Sequence, residues 1–108
     1  MRGDDPAANH RRDLLVRREL YRSPNFLRKS RRWIKRHPQT LGDLQATLAA
    51  LEDDAFRPAL QTHKLSGKWA GCYACSAGYD LRIVFELLTQ NGAEVINLIN
   101  LGTHDQLY

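Results

Sequence analysis

The residues in this sequence that could do chemistry lie in its second half. His63 stands alone, Asp80 and Arg82 lie two positions apart, and the chain ends with His104 and Tyr108 in the run Gly-Thr-His-Asp-Gln-Leu-Tyr. Histidine is the side chain whose pKa lets it donate and accept a proton near neutral pH. A single histidine is more often a surface or structural residue, so none of these positions identifies a reaction by itself.

Arg82 and the C-terminal residues are less ordinary than their positions suggest. Arg82 is followed by the apolar residues 83–85, whereas a strand arginine usually lies on a solvated face. Chain ends usually fray. Here the last two residues, Leu107 and Tyr108, are apolar and aromatic. We therefore expect this end to dock on the domain.

Charge is distributed unevenly along the chain. Residues 1–38 contain 12 of the 16 basic residues and 4 of the 12 acidic ones, whereas residues 39–108 contain 4 basic and 8 acidic residues. A concentrated cationic segment favours a polyanionic partner, because neutralising phosphates releases counterions. The alternative is a solvated helix face that happens to be rich in arginine.

The two cysteines, Cys72 and Cys75, form a single CxxC pair. A structural zinc site needs four ligands, and the sequence has no second pair. A redox CxxC normally opens a helix, whereas this pair lies in a strand-like run, where residues three apart point to opposite faces. The sequence favours two small buried side chains.

Two helices are predicted in the first half. Ser23 and Pro24 form an N-cap and first helical position, and Pro38 ends that helix. Thr40 with Asp43 resembles a capping box for the second helix. Apolar residues repeat at helical spacing: Phe26, Leu27, Trp33 and Ile34 in the first helix, and Leu41, Leu44, Leu48 and Leu51 in the second.

Short strands are predicted after the helices. Residues 68–76, 81–88 and 95–101 have strand-like composition, and Asn91-Gly92 is a strong hairpin signal between the last two. One face of the first segment would carry Trp69, Gly71, Tyr73 and Cys75.

The predicted fold is α+β. An N-terminal strand within residues 14–22 precedes an antiparallel hairpin of two helices, which packs on an antiparallel, twisted sheet of three to four strands. The length suits one domain, at residues 14–108, after a flexible tail at residues 1–13. The sequence has no membrane-spanning run and no signal peptide, so the cytosol is the expected compartment.

Three separated motifs together resemble one protein family. They are His63-Lys-Leu-Ser-Gly-Lys-Trp-Ala-Gly71, Gly78-Tyr-Asp-Leu-Arg-Ile-Val-Phe85 and Gly102-Thr-His-Asp-Gln-Leu-Tyr108. In this order they are similar to the toxins of bacterial type II toxin–antitoxin systems of the RelE/ParE superfamily, in its YafQ-like branch. The resemblance covers roughly residues 16–108.

The resemblance implies a ribosome-dependent mRNA endonuclease that cuts the codon in the ribosomal A site without a metal or other cofactor. The RNA 2′-hydroxyl attacks the adjacent phosphate, which gives a 2′,3′-cyclic phosphate and a 5′-hydroxyl. This reaction needs a base for the 2′-hydroxyl proton, cations for the charge on phosphorus and an acid for the leaving oxygen.

The resemblance also implies roles for individual residues. His63 and His104 match the proton-transfer positions, and Arg82 matches a phosphate clamp. Asp80 matches an acidic position that could orient a histidine, and Tyr108 matches an aromatic that could stack on a base or join the proton transfer. Contacts to RNA and the ribosome are expected from Arg28, Lys29, Arg31, Arg32, Lys35, Arg36, Lys64 and Lys68.

The chain departs from the YafQ-like pattern at two positions. Ser76 stands where that pattern has another histidine, and Asn100 replaces an arginine near the end of the last strand. Both losses would weaken the reaction, although His63 and His104 remain and Arg82, Lys64 and Lys68 could compensate.

Two other functions fit the same fold and charge. One is a ParE-like toxin that inhibits gyrase, and the other is a nucleic-acid-binding module without catalysis. Neither needs the two histidines. Any toxin also implies a cognate antitoxin, and the basic surface predicts that this antitoxin carries an acidic segment.

Overall fold

The computed structural model describes residues 17–108, so the expected tail at residues 1–13 lies outside the described range. The α-helices and strands of this range are β1 Glu19–Arg22, α1 Pro24–Arg36, α2 Leu41–Asp53, β2 His63–Lys64, β3 Tyr73–Ser76, β4 Leu81–Gln90, β5 Ala93–Thr103 and α3 His104–Leu107. Three 3-10 turns, Pro38–Thr40, Pro58–Leu60 and Gly67–Trp69, lie between them.

The strands form one sheet in the order β1-β5-β4-β3-β2. The predicted α+β architecture is confirmed, and the sheet has five strands within residues 17–108 rather than three to four. β1 pairs with β5 in parallel, while the other pairs are antiparallel. The first strand covers only Glu19–Arg22 of the predicted residues 14–22, of which residues 14–16 lie outside the described part.

The prediction of one strand over residues 68–76 is wrong for the first half of that segment. Lys68 and Trp69 belong to the 3-10 turn, and β3 begins only at Tyr73. Gly67 and Gly71 have φ angles of 66° and 91°, which lie outside the extended region. Trp69 therefore lies outside the sheet.

The start of α1 agrees with the sequence prediction. Ser23 precedes Pro24, and its Oγ accepts a 3.1 Å hydrogen bond from the backbone N–H of Phe26. The capping box predicted for α2 is wrong, because Thr40 makes no side-chain cap. Its hydroxyl instead accepts from Trp33 Nε1 at 2.9 Å and donates to the His37 carbonyl oxygen at 2.7 Å.

The core lies between one face of the sheet and the two helices. Phe26 of α1 and Leu44 and Leu51 of α2 are buried there, and Leu41, predicted for the same apolar face, is 42% exposed. The buried sheet residues of this core are Cys75, Leu81, Ile83, Phe85, Ile96, Leu98 and Leu101.

The β4–β5 hairpin turns at Asn91 and Gly92, as predicted, with φ angles of 51° and 82°. Farther along, the pairing shifts at Val84 and Phe85 and leaves Ile99 as the extra residue on β5. The Ile99 carbonyl accepts hydrogen bonds from Ser23 Oγ at 3.3 Å and Asn25 Nδ2 at 2.9 Å. The bulge thus anchors the start of α1 to the end of β5.

The cysteines are free thiols. Cys75 is fully buried in the core, as predicted, whereas Cys72 precedes β3 and is only partly buried. Burial raises the pKa of the Cys75 thiol to about 12, and a hydrogen bond with the Ile83 backbone and the nearby Arg82 charge only partly oppose this. In the range from residue 17 to the C-terminus, no helix is long and apolar enough to cross a membrane.

Candidate functional site

Arg82 lies on the face of the sheet that the helices leave uncovered. Its neighbours Leu81 and Ile83 point into the core, so its own side chain points the other way. It pairs with Ser76 on β3 and with Gly102 on β5, and residues directly opposite in a ladder share a face. The guanidinium donates a 3.1 Å hydrogen bond to the Leu81 carbonyl.

The C-terminal residues dock, as predicted. Thr103 caps α3, and a reciprocal pair of hydrogen bonds with Gln106 completes a capping box. Trp69 Nε1 donates a 2.8 Å hydrogen bond to the carbonyl of Leu107, whose side chain is 1% exposed. A Cβ on Gly102 would lie 2.9 Å from Gln106 Oε1, so glycine lets the helix fold back closely over the strand.

This docking places His104 at the start of α3 and Tyr108 directly after its end, one helical turn apart. Their ring centroids are 4.9 Å apart at an interplanar angle of 60°. Partial burial raises the pKa of Tyr108, and the positive charge of the nearby Arg82 partly opposes that shift. The end of the chain therefore brings an imidazole, a protonated phenol and a guanidinium to one end of the sheet.

His63 lies on β2 at the edge of the same sheet. It pairs with Ala74, and the ladder places it on the face that carries Ser76 and Arg82. The Cα atoms of His63 and Arg82 are two inter-strand spacings and two residues apart, or roughly 12 Å. His63 Nδ1 lies 2.9 Å from the Gln61 carbonyl oxygen, which can only accept. Nδ1 therefore carries the hydrogen, and Nε2 is left to accept a proton.

Two of the predicted site residues, Asp80 and Lys64, do not join this group. Asp80 lies in the turn before β4 with a φ of 57°, and within residues 17–108 no hydrogen bond or ion pair links it to a histidine. Lys64 follows His63 on β2, so it points to the opposite face. Lys68 is exposed beside the Trp69 ring, at 5.7 Å from its centroid.

The two departures from the expected pattern both fall on the face of Arg82. Ser76 is the direct ladder partner of Arg82. Asn100 pairs with Val84, and it is 7% exposed. The Asn100 Oδ1 accepts a 2.8 Å hydrogen bond from the Leu101 backbone N–H, so the side chain is turned onto the strand.

The cations of α1 occupy one side of the helix. At 100° per residue, they span an arc of roughly 160°, opposite Phe26 and Ile34. No carboxylate in the described part of the chain forms an ion pair with any of them. The members of this basic surface are Arg28, Lys29, Arg31, Arg32, Lys35 and Arg36.

A cleft of about 230 Å³ connects the basic surface with the C-terminal helix. Lys29, Arg32 and Arg36 line one wall, and Leu101 and Gln106 line the other. The cleft is therefore cationic on one side and continues to the helix that carries His104.

His37 and Trp69 lie at this site although the sequence motifs did not single out a role for either. The His37 ring packs on Trp33 with centroids 4.2 Å apart, beside the cleft. The sequence did offer a signal for Trp69, which lies two residues from a glycine on each side. A tryptophan that packs into the protein needs a hydrogen-bond partner for its indole N–H, so a long-range contact could have been expected. Its partner, the Leu107 carbonyl, is 38 residues away. Among residues 17–108, no three His, Cys, Asp or Glu side chains are placed to hold a metal ion.

Solved toxin structures share this fold. YafQ from Escherichia coli strain BL21(DE3) superposes with a TM-score of 0.68 at 16% identity, covering 84% of this chain and 98% of that one. The E. coli DinJ–YafQ toxin–antitoxin complex gives 0.66 at 17% identity, covering 86% and 99%. A YoeB/ParE toxin from Agrobacterium tumefaciens gives 0.66 at 13% identity, covering 80% and 98%.

A search of curated proteins returned no significant match. The sequence profile of one family, described as the bacterial toxin of type II toxin–antitoxin systems, YafQ, matches residues 18–108. This match spans all but the first residues of the chain. The chain therefore belongs to the YafQ family of type II toxins.

Proposed function

We propose that this toxin is an endoribonuclease that cuts mRNA in the ribosomal A site. The observation that supports this best is the group formed by Arg82, His104 and Tyr108 at the end of the sheet, with His63 on the same face. Two proton-transfer groups and a fixed cation are what phosphodiester cleavage by an internal nucleophile requires.

In the proposed reaction, His63 Nε2 takes the proton of the 2′-hydroxyl. The 2′-oxygen then bonds to phosphorus, and the bond from phosphorus to the 5′-oxygen breaks. His104, with Tyr108 beside it, protonates the departing 5′-oxygen. Arg82 donates to the phosphate oxygens as negative charge accumulates there. Asp80 contacts neither histidine, so we assign it no proton-transfer step.

The basic surface of α1 supports a ribosomal partner. Its six cations have no carboxylate partner within residues 17–108, so binding to RNA phosphates breaks no ion pair within that range. Such a surface releases counterions from RNA and steers association. We infer that the cations of α1 bind RNA phosphates of the ribosome and of the bound message, while the sheet face holds the phosphate that is cut.

The deciding experiment maps cleavage of a translated mRNA with and without ribosomes. Codon-phased cuts only with ribosomes, ending in a 2′,3′-cyclic phosphate, are the expected result. His63→Ala and His104→Ala should each slow cleavage by about 10²- to 10⁴-fold, the usual contribution of a general acid or base. Thr89→Ala, at the far end of β4, is the matched control.

Two other outcomes would redirect the assignment. Identical cuts in naked RNA would refute ribosome dependence. Growth inhibition that survives in both histidine variants would favour a gyrase-inhibiting or purely binding toxin, since neither needs proton transfer.

A cognate antitoxin completes the proposal. The E. coli relative was solved as a DinJ–YafQ toxin–antitoxin complex. We expect an antitoxin with an acidic segment to bind this chain, because no carboxylate of residues 17–108 already neutralises the cations of α1. A short acidic open reading frame beside the gene, whose product co-purifies with the toxin and suppresses its toxicity, is the expected finding.

A further inference from the structure

A second cavity lies next to the basic cleft, between the corner that joins α1 to α2 and the turn that joins β3 to β4. Its volume is about 460 Å³, within the roughly 300–1,000 Å³ typical of ligand sites. It shares Trp33, His37 and Gln106 with the cleft. Asp43 and the turn residues Gly78–Asp80 line its other side.

The carboxylate of Asp43 is free to serve this cavity. The capping box that would have used it does not form, and no hydrogen bond or ion pair occupies this carboxylate in the described part of the chain. Gly78 brings the turn close, since a Cβ there would lie 3.3 Å from Asp43 Oδ2. The φ of Gly78 is 114°, a conformation that favours glycine. Asp80 adds a second carboxylate to the wall.

Tyr79, at the tip of the turn, is 99% exposed. It has no ring contact with the rest of the described chain, whereas Tyr108 and Tyr73 each pack on another ring. An exposed aromatic beside a groove is a platform on which a nucleic-acid base can stack.

The cleft is cationic and the neighbouring cavity carries carboxylates, so the two would bind different parts of one nucleotide. Carboxylates repel phosphate, so the phosphate belongs in the cleft beside Lys29, Arg32 and Arg36. Carboxylates only accept hydrogen bonds, so the neighbouring cavity suits a base that presents donors. Guanine presents N1–H and N2–H₂ side by side and can meet both oxygens of one carboxylate. The pairing edges of adenine, cytosine and uracil place acceptors beside their donors.

We propose that the cavity bounded by Trp33, Asp43 and Tyr79 is a base-binding subsite that selects guanine in the bound RNA. This inference rests on the proposed function and names the base next to the phosphate held in the cleft. Asp43 accepts from guanine N1–H and N2–H₂, and Tyr79 stacks on the ring.

The test is titration of the full chain with 5′-GMP, 5′-AMP, 5′-CMP or 5′-UMP. Binding is measured from the shift of the NMR signal of the Trp33 indole N–H. GMP should bind at least about fivefold more tightly than each of the others, as expected for a bidentate contact. Asp43→Asn should remove this preference, and Tyr79→Ala should weaken all four nucleotides. Asp53→Asn, at the other end of α2, should keep the preference of the wild type.

Three results would each overturn the subsite. They are equal affinities for the four nucleotides, no shift of the Trp33 signal with any of them, and an unchanged guanine preference in Asp43→Asn. Because the assay needs neither cleavage nor ribosomes, its result stands apart from that of the mRNA experiment. Codon-phased cleavage without guanine preference would leave the endonuclease intact and remove only the subsite.

Discussion

The indole Nε1 of Trp69 donates a 2.8 Å hydrogen bond to the backbone carbonyl of Leu107. This bond joins the 3-10 turn before β3 to the C-terminal helix. It fixes the end of the helix from which His104 and Tyr108 project. Trp69 is thus a positioning residue for the proposed reaction.

Replacing Trp69 by Phe should impair the positioning of His104 while the protein still folds. The variant keeps an aromatic ring and loses one hydrogen bond, so we expect it to lose about 1 kcal/mol of stability. Because His104 is then less well held, kcat should fall by roughly tenfold or more while KM changes little. Tyr21→Phe removes a hydrogen bond of the same length to Gln90, far from the site, and serves as the control. Equal kcat values in the two variants would contradict a positioning role.

Placing a histidine at Ser76 should increase cleavage. Ser76 is the ladder partner of Arg82, so an imidazole there would face the scissile phosphate. An added proton-transfer group is expected to raise kcat by at least about tenfold. The measurement is single-turnover cleavage of ribosome-bound mRNA. Thr89→His, on the exposed far end of β4, controls for the added imidazole. A cleavage rate of Ser76→His no greater than that of wild type would show that Ser76 is not at the reacting centre.

Neutralising three cations of α1 should weaken ribosome binding in a salt-dependent way. In the triple variant Arg28→Gln, Arg31→Gln, Arg32→Gln, helix propensity is nearly unchanged because Gln and Arg are similar helix formers. The slope of log affinity against log salt should become shallower by about two to three, because each RNA phosphate that is no longer neutralised reduces it by one unit or slightly less. Sedimentation with ribosomes at several salt concentrations measures this slope.

The control for that experiment is Arg57→Gln. Arg57 already pairs with Asp53 outside α1, so its loss should leave the salt slope unchanged. If the triple variant kept the wild-type slope, α1 would not be the ribosome-binding surface.

The buried thiol of Cys75 should make the protein less stable at alkaline pH. Its pKa rises from 9.0 to about 12 in the folded state. Between these values the folded protein holds a proton that the unfolded chain has released, so stability is lost as the pH rises. The loss from this group is roughly 1.4 kcal/mol per pH unit above pH 9.

Urea unfolding of wild type and Cys75→Ala under reducing conditions, from pH 8 to pH 11, measures this contribution. The cost of the smaller side chain is the same at every pH, whereas the alkaline decline should be shallower in the variant. Parallel declines in the two proteins would refute the prediction.

The sequence alone determined the features that depend on neighbouring residues. Ser23 and Pro24 begin α1 because a cap and a restricted φ act within one turn, and Asn91-Gly92 closes the hairpin because both residues tolerate positive φ. The segregation of charge, and the motifs that carry the family resemblance, were also readable from residue types in order.

Only the tertiary structure decided which of these residues meet. Thr40 does not take its predicted capping role because its hydroxyl accepts from the Trp33 indole and its backbone N–H donates to the His37 carbonyl, and Asp43 instead faces the turn at Gly78. Trp69 lies outside the sheet and donates a hydrogen bond to the carbonyl of Leu107, which is 38 residues away. The contact of Trp69 with Leu107 depends on how β5 and α3 fold back over the sheet, and the approach of Gly78 to Asp43 depends on how α2 packs beside the turn before β4. No local pattern of residue types contains these long-range arrangements.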